Sequence, residues 1–135
     1  MIHLDTSFLI DLLREQRRTA GPACAWLDQH AGDALGVSLF VVCELEAGAA
    51  FAAHPAAERR RLRGILDAIS TIYPDERFAS TYATRLSVMR TRGHAVGTMD
   101  LLIATSAIVD DAPLVTANRK HFDVVPDLRV LSYRR

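Results

Sequence analysis

The chain has no charge of either sign to spare. Its 16 basic and 16 acidic side chains cancel to a formal net charge of zero, which removes any global electrostatic pull towards nucleic acid or membrane. Lys120 is the only lysine, so nearly all of the positive charge is arginine. Cysteine is scarce: Cys24 and Cys43 both sit in apolar helical context and read as buried free thiols of a reducing compartment. No run is long and apolar enough to span a bilayer, and no segment has a signal-peptide layout, so a cytoplasmic protein with no membrane contact is expected. A Gly-rich phosphate loop and a nucleophile elbow are both missing. The five histidines, His3, His30, His54, His94 and His121, show no paired spacing and none lies near a cysteine, which argues against zinc.

What the chain does have is apolar residues. They make up 50% of its 135 residues, enough to bury a core without disulfides or a structural metal. No repeat, low-complexity tract or linker divides it, so one domain over residues 1–135 is expected. A short apolar strand over 1–5 is followed by a helix over 7–17, with Phe8, Leu9, Leu12 and Leu13 on one face. Gly21-Pro22 breaks the chain, and Pro22 suits the first turn of a helix to about His30. Ala34 to Ser38 predicts a strand, and Ser38 can cap the long helix after it. His54-Pro55 interrupts that helix before a second arm to about Ser70. Residues 71–73 are a further strand candidate. Helices follow over 75–92, closed by Gly93, and over 98–110. Pro113 to Thr116 is a strand, Asn118 to Phe122 a turn or short helix, and Leu128 to Ser132 a last strand. This alternation predicts an α/β sandwich with a mostly parallel sheet flanked by helices.

Three acids stand in apolar settings. Asp5 ends the first strand, and ligands of open α/β sheets bind at the carboxyl ends of strands. It also stands where a helix cap belongs, and the two roles can coexist. Glu44 lies in Phe40-Val41-Val42-Cys43-Glu44-Leu45. Glu46 follows two residues on, about 200° around the helix, on a face that is equally apolar. Periodicity does not choose between them, although Gly48, one turn after Glu44, would permit close approach there. Asp100 falls in the first turn of its helix, where the macrodipole favours an acid for structural reasons alone, yet the flanking Met99, Leu101, Leu102 and Ile103 predict burial. Carboxylates in apolar surroundings are costly and repel one another, and a divalent cation relieves both costs. Ser7 offers a hydroxyl either to such a site or to a helix-terminal amide. The run Glu58-Arg59-Arg60-Arg61-Leu62-Arg63 is the strongest basic patch. It reads as a solvated helix face, with Arg59, Arg60 and Arg63 as candidate RNA contacts.

Four blocks in order resemble the PIN-domain ribonucleases, and within them the VapC toxins of toxin–antitoxin pairs. They are Leu4-Asp5-Thr6-Ser7, Glu44-Leu45-Glu46-Ala47-Gly48, Asp100-Leu101-Leu102-Ile103-Ala104-Thr105-Ser106-Ala107, and Leu114-Val115-Thr116-Ala117-Asn118 with Phe122 following. Together they span nearly the whole chain. The resemblance implies a PIN-like three-layer sandwich. It implies that Asp5, Glu44 and Asp100 bind Mg²⁺ or Mn²⁺, choosing Glu44 over Glu46. It implies an endoribonuclease in which activated water cuts an RNA phosphodiester to leave a 5′-phosphate, a homodimer, and a cognate VapB-type antitoxin. The fourth block departs from the common pattern: many members carry an aspartate where this chain has Asn118. Asn118 can still ligate through its amide oxygen, Asp123 is near enough in sequence to substitute, and Thr116 ends a strand beside the site.

Two other functions compete. A phosphoryl-acceptor domain would phosphorylate Asp5 with help from Thr116 and Lys120, but it leaves Glu44 without a role. A catalytically weak PIN domain would act only by binding RNA or antitoxin, and Asn118 is the feature that supports it.

Overall fold

The computed structural model describes residues 1–134. Five strands form one sheet: β1 (Ile2–Leu4), β2 (Leu35–Ser38), β3 (Ser70–Ile72), β4 (Leu114–Val115) and β5 (Val130–Leu131). Seven helices connect them: α1 (Thr6–Arg17), α2 (Pro22–Gln29), α3 (Leu39–Ala50), α4 (Pro55–Leu66), α5 (Phe78–Thr91), α6 (Thr98–Val109) and α7 (Arg119–Phe122). The element order is the predicted one. Two boundaries differ most: α4 ends at Leu66 rather than about Ser70, which instead opens β3, and α5 starts at Phe78 because 75–77 form a turn in which Asp75 accepts from the Arg77 amide and pairs with its side chain.

The strand order is β3-β2-β1-β4-β5, and every pairing is parallel. Successive strands run outward from β1 to β3, and the chain then returns to the other side of β1 for β4. The order therefore reverses between β1 and β4, which makes the carboxyl ends of those two strands the place for a ligand crevice. His3 and Leu4 pair with Leu114 and Val115, so the next residues, Asp5 and Thr116, leave the sheet side by side. The Asp5 amide still donates to the Val115 carbonyl (2.9 Å).

The core packs against both sides of this point. Leu4, Phe8, Leu9, Val37, Val41, Leu114 and Phe122 are fully buried. Phe8 meets Trp26 and Tyr133 edge-on, with centroids 5.4 and 4.9 Å away, and Tyr133 donates to Asp11 Oδ2 (2.5 Å). The last described residues are thus fastened to α1. His3 is buried inside β1 and bonds Asp110 at the end of α6 (2.8 Å). Ser38 caps α3 as predicted, accepting from the Val41 amide (3.2 Å). Gly93 takes the left-handed φ of 71° that ends α5, which only glycine adopts without strain.

Candidate active site

Asp5 occupies the N-cap position of α1, but its side chain caps nothing. The residue is 3% exposed, and its carboxylate is held from the β4 side. Oδ2 accepts from the Ser7 hydroxyl (2.8 Å) and the Thr116 hydroxyl (2.7 Å). Those hydroxyls accept in turn from consecutive amides, Ser7 from Ala117 (3.0 Å) and Thr116 from Asn118 (2.9 Å). Each hydroxyl has one proton and spends it on Asp5. The 3.2 Å separation of Ser7 and Thr116 is therefore a contact rather than a third bond. Asp5 Oδ1 has no hydrogen-bond partner among the described residues. Ser7 thus serves neither of its predicted partners alone: it ties the α7 entrance to the end of β1.

Asp100 is in the first turn of α6 with its side chain 34% exposed. Burial pushes its carboxyl above the usual aspartate range, and the negative charge of Asp5 pushes it further, while His121 pulls the other way. His121 Nδ1 stands 3.7 Å from Asp100 Oδ2, a neighbour that the sequence reading missed because α7 had no predicted orientation. Glu44 is half-buried on α3, and its Oε1 accepts from the Thr6 hydroxyl (2.7 Å). Glu46 turns to α4, 3.7 Å from Arg59. Placement distinguishes the two acids that periodicity left alike: Glu44 bonds Thr6, the residue next to Asp5, and Glu46 faces Arg59. Asp5 and Asp100 are brought together, whereas Glu44 is held by Thr6. Among the described residues, no three His, Cys, Asp or Glu side chains converge closely enough to hold an ion.

The donor set is nonetheless oxygen throughout, the preference of a hard divalent cation. A carboxylate oxygen free of protein partners and a carboxyl whose ionisation is opposed by its neighbour are the features that such a cation relieves.

A profile of the PIN domain matches residues 2–128. The chain belongs to the PIN-domain family. VapC ribonuclease Y4jK of Sinorhizobium fredii is 31% identical over 131 residues, covering 91% of either protein. Ribonuclease VapC1 of Haemophilus influenzae is 26% identical over 126 residues, 93% of this chain and 92% of its own. These relatives put this PIN domain in the VapC group. Among solved structures, VapBC2 from Rickettsia felis, bound to a DNA fragment from their promoter, superposes with a TM-score of 0.91 at 24% identity. It covers 99% of this chain and 100% of that one, and it confirms the fold.

The remaining candidates of this PIN domain fall in different places. Asn118 is exposed at the N-cap of α7. Asp123 lies at the other end of that helix with its carboxylate 3.4 Å from Arg119, so it is engaged away from Asp5. Lys120 is exposed on the same helix. Arg60 and Arg63 are exposed on α4 and Arg59 faces Glu46. The arginines near Glu44 are instead Arg14, Arg17 and Arg61, on the rim of a groove of about 390 Å³ between α1, α3 and α4. Ile10, Leu13, Leu45, Ala49 and Leu62 form its apolar wall. Gly48 also lines the groove, but an added Cβ there would meet nothing within 4 Å, so it permits no close backbone approach. Cys24 is half-buried, and Cys43 is exposed rather than buried because its face of α3 is uncovered. No helix among the described residues is long and apolar enough to cross a membrane.

The raised Asp100 carboxyl has a consequence for stability. A carboxyl that holds its proton more tightly when folded costs stability once pH exceeds its unfolded value, and the full cost is present above its folded value. In a chelator at neutral pH, Asp100→Asn should therefore melt higher than the wild type. The gap should close as pH falls into the ordinary aspartate range. An unchanged or lower melting temperature at neutral pH would show that Asp5 and burial do not strain Asp100.

Proposed function

We propose that this PIN domain is a metal-dependent endoribonuclease toxin restrained by a cognate antitoxin. The observation that carries the reading is the buried Asp5 carboxylate at the sheet's reversal point, with Oδ1 unpartnered and Asp100 close enough to feel its charge. Asp5 and Asp100 would hold Mg²⁺ or Mn²⁺, with Glu44 as the third acid and Asn118 as a neutral oxygen donor. When bound, such an ion acidifies water towards neutral pH and offsets charge on the scissile phosphate. The chain's own part is positional. Ser7 and Thr116 hold Asp5 Oδ2 through two hydroxyls that are themselves held by amides, so the carboxylate enters the site in one orientation. Thr6 does the same for Glu44. The product expected is an RNA with a 5′-phosphate end.

The groove beside Glu44 supports the antitoxin half. An amphipathic helix laid in an apolar groove is a common recognition mode. This groove places Arg14, Arg17 and Arg61 around such a helix and reaches Glu44. Exposed apolar residues, including Phe51 at 90% exposure, leave further surface for a partner or a second copy, and we assign the chain to a homodimer on that ground. The test is incubation of the purified chain with total RNA and Mn²⁺, with and without chelator. Metal-dependent cuts with 5′-phosphate ends are expected, and addition of the neighbouring small gene's product should stop them. Binding without cutting would instead support the weak-enzyme reading.

A further inference from the structure

A second cavity, of about 260 Å³, lies between α5 and α6 and plays no part in the chemistry above. Its floor is apolar: Met89 and Leu101 are buried, and Tyr82 is half-buried beside them. Its rim carries Arg90, His94 and Thr98, all exposed. None of these three side chains, nor the Tyr82 hydroxyl, makes a hydrogen bond or ion pair with another described residue. The cavity is thus an aromatic and apolar slot edged by unspent donors.

Its position follows from the topology. Asp100 is in the first turn of α6, and Thr98 and Leu101 flank it in sequence. The last turn of α5, with Arg90, and the short connection carrying His94 reach that same turn. The cavity therefore adjoins the first turn of α6, the turn that also carries Asp100. It is smaller than the roughly 300–1,000 Å³ of a pocket for a whole drug-sized ligand, which suits one planar ring.

We propose that this cavity is a subsite for one nucleobase of the RNA, on the same turn of α6 that presents Asp100. The inference rests on the ribonuclease reading. Single-stranded RNA is read by splaying bases onto aromatic side chains and bonding their edges. Tyr82 supplies the stacking face. Arg90, His94 and Thr98 supply donors for the oxygen and nitrogen acceptors of a base edge, and Arg90 adds a charge complementary to the backbone.

The experiment measures binding by fluorescence anisotropy in the Asp5→Asn protein with Mn²⁺, using labelled RNAs of about 12 nucleotides made of A, C or U alone, and an abasic ribose-phosphate strand. At least one base should bind about tenfold or more tightly than the abasic strand, in line with stacking on one aromatic. Tyr82→Ala should erase that advantage. Arg90→Ala with His94→Ala, both at exposed positions, should erase differences among bases. Equal affinity for all strands, or variants that keep the wild-type preferences, overturns the subsite. If the wild type cuts RNA in that case, the ribonuclease reading survives alone. If the wild type neither cuts nor binds RNA, both fall.

Discussion

Asp5→Asn, Glu44→Gln and Asp100→Asn should each lower RNA cleavage by more than about a hundredfold, because loss of a residue that only supports a metal ligand already costs about 10–100-fold. The folds should survive. Asparagine keeps the oxygen that accepts from Ser7 and Thr116, and Asp100→Asn relieves a repulsion. Glu46→Gln is the control: its carboxylate faces Arg59, and its activity should match the wild type. Measured on a mapped RNA substrate, full activity in Glu44→Gln, or a loss confined to Glu46→Gln, would reverse the assignment of the two acids. Circular dichroism separates lost chemistry from lost fold.

Thr116→Val should be nearly as damaging, and by a different route. Thr116 is fully buried, and valine keeps its shape while deleting a hydroxyl that bonds Asp5 and the Asn118 amide. Losing the buried hydrogen bond to the Asp5 carboxylate costs about 1.5–3 kcal/mol, so stability should fall by that order. Asp5 would keep only the Ser7 bond and lose its fixed orientation, so cleavage and Mn²⁺ affinity should both fall by about 10–100-fold. Thr116→Ser should restore both. Calorimetric titration of Mn²⁺ decides the point: wild-type affinity in Thr116→Val would mean that the hydroxyl serves the fold alone.

Much of the fold could be read along the chain because its signals are local. Pro22, Pro55 and Gly93 punctuate helices for reasons internal to a few residues. Asp5 was legible because a strand ending on an acid is a local pattern too. Glu44 and Glu46 were not separable, since α3 is apolar nearly all round and only the crossing of α4, which carries Arg59, tells its faces apart. The same ambiguity hid the exposure of Cys43. The double bonding of Ser7 was hidden because one of its partners, the Ala117 amide, lies 110 residues away. The basic run on α4 was visible as composition, but which arginines approach Glu44 depends on helix packing, and these proved to be Arg14, Arg17 and Arg61.

The wide sequence separation of the site bears on how the protein is made. β1 lies in the middle of the sheet, yet one of its two neighbours, β4, is more than a hundred residues downstream. Chains emerge from the ribosome amino-terminus first, and long-range strand pairing is slow to form. Asp5 therefore waits without Thr116 until residues 114–118 have been synthesised, and Tyr133 reaches Asp11 later still. A nascent or truncated chain carries all three acids but not the hydroxyl and amide network that orients the first of them. An acid made among the first residues is thus oriented only once Thr116, more than a hundred residues later, has been made.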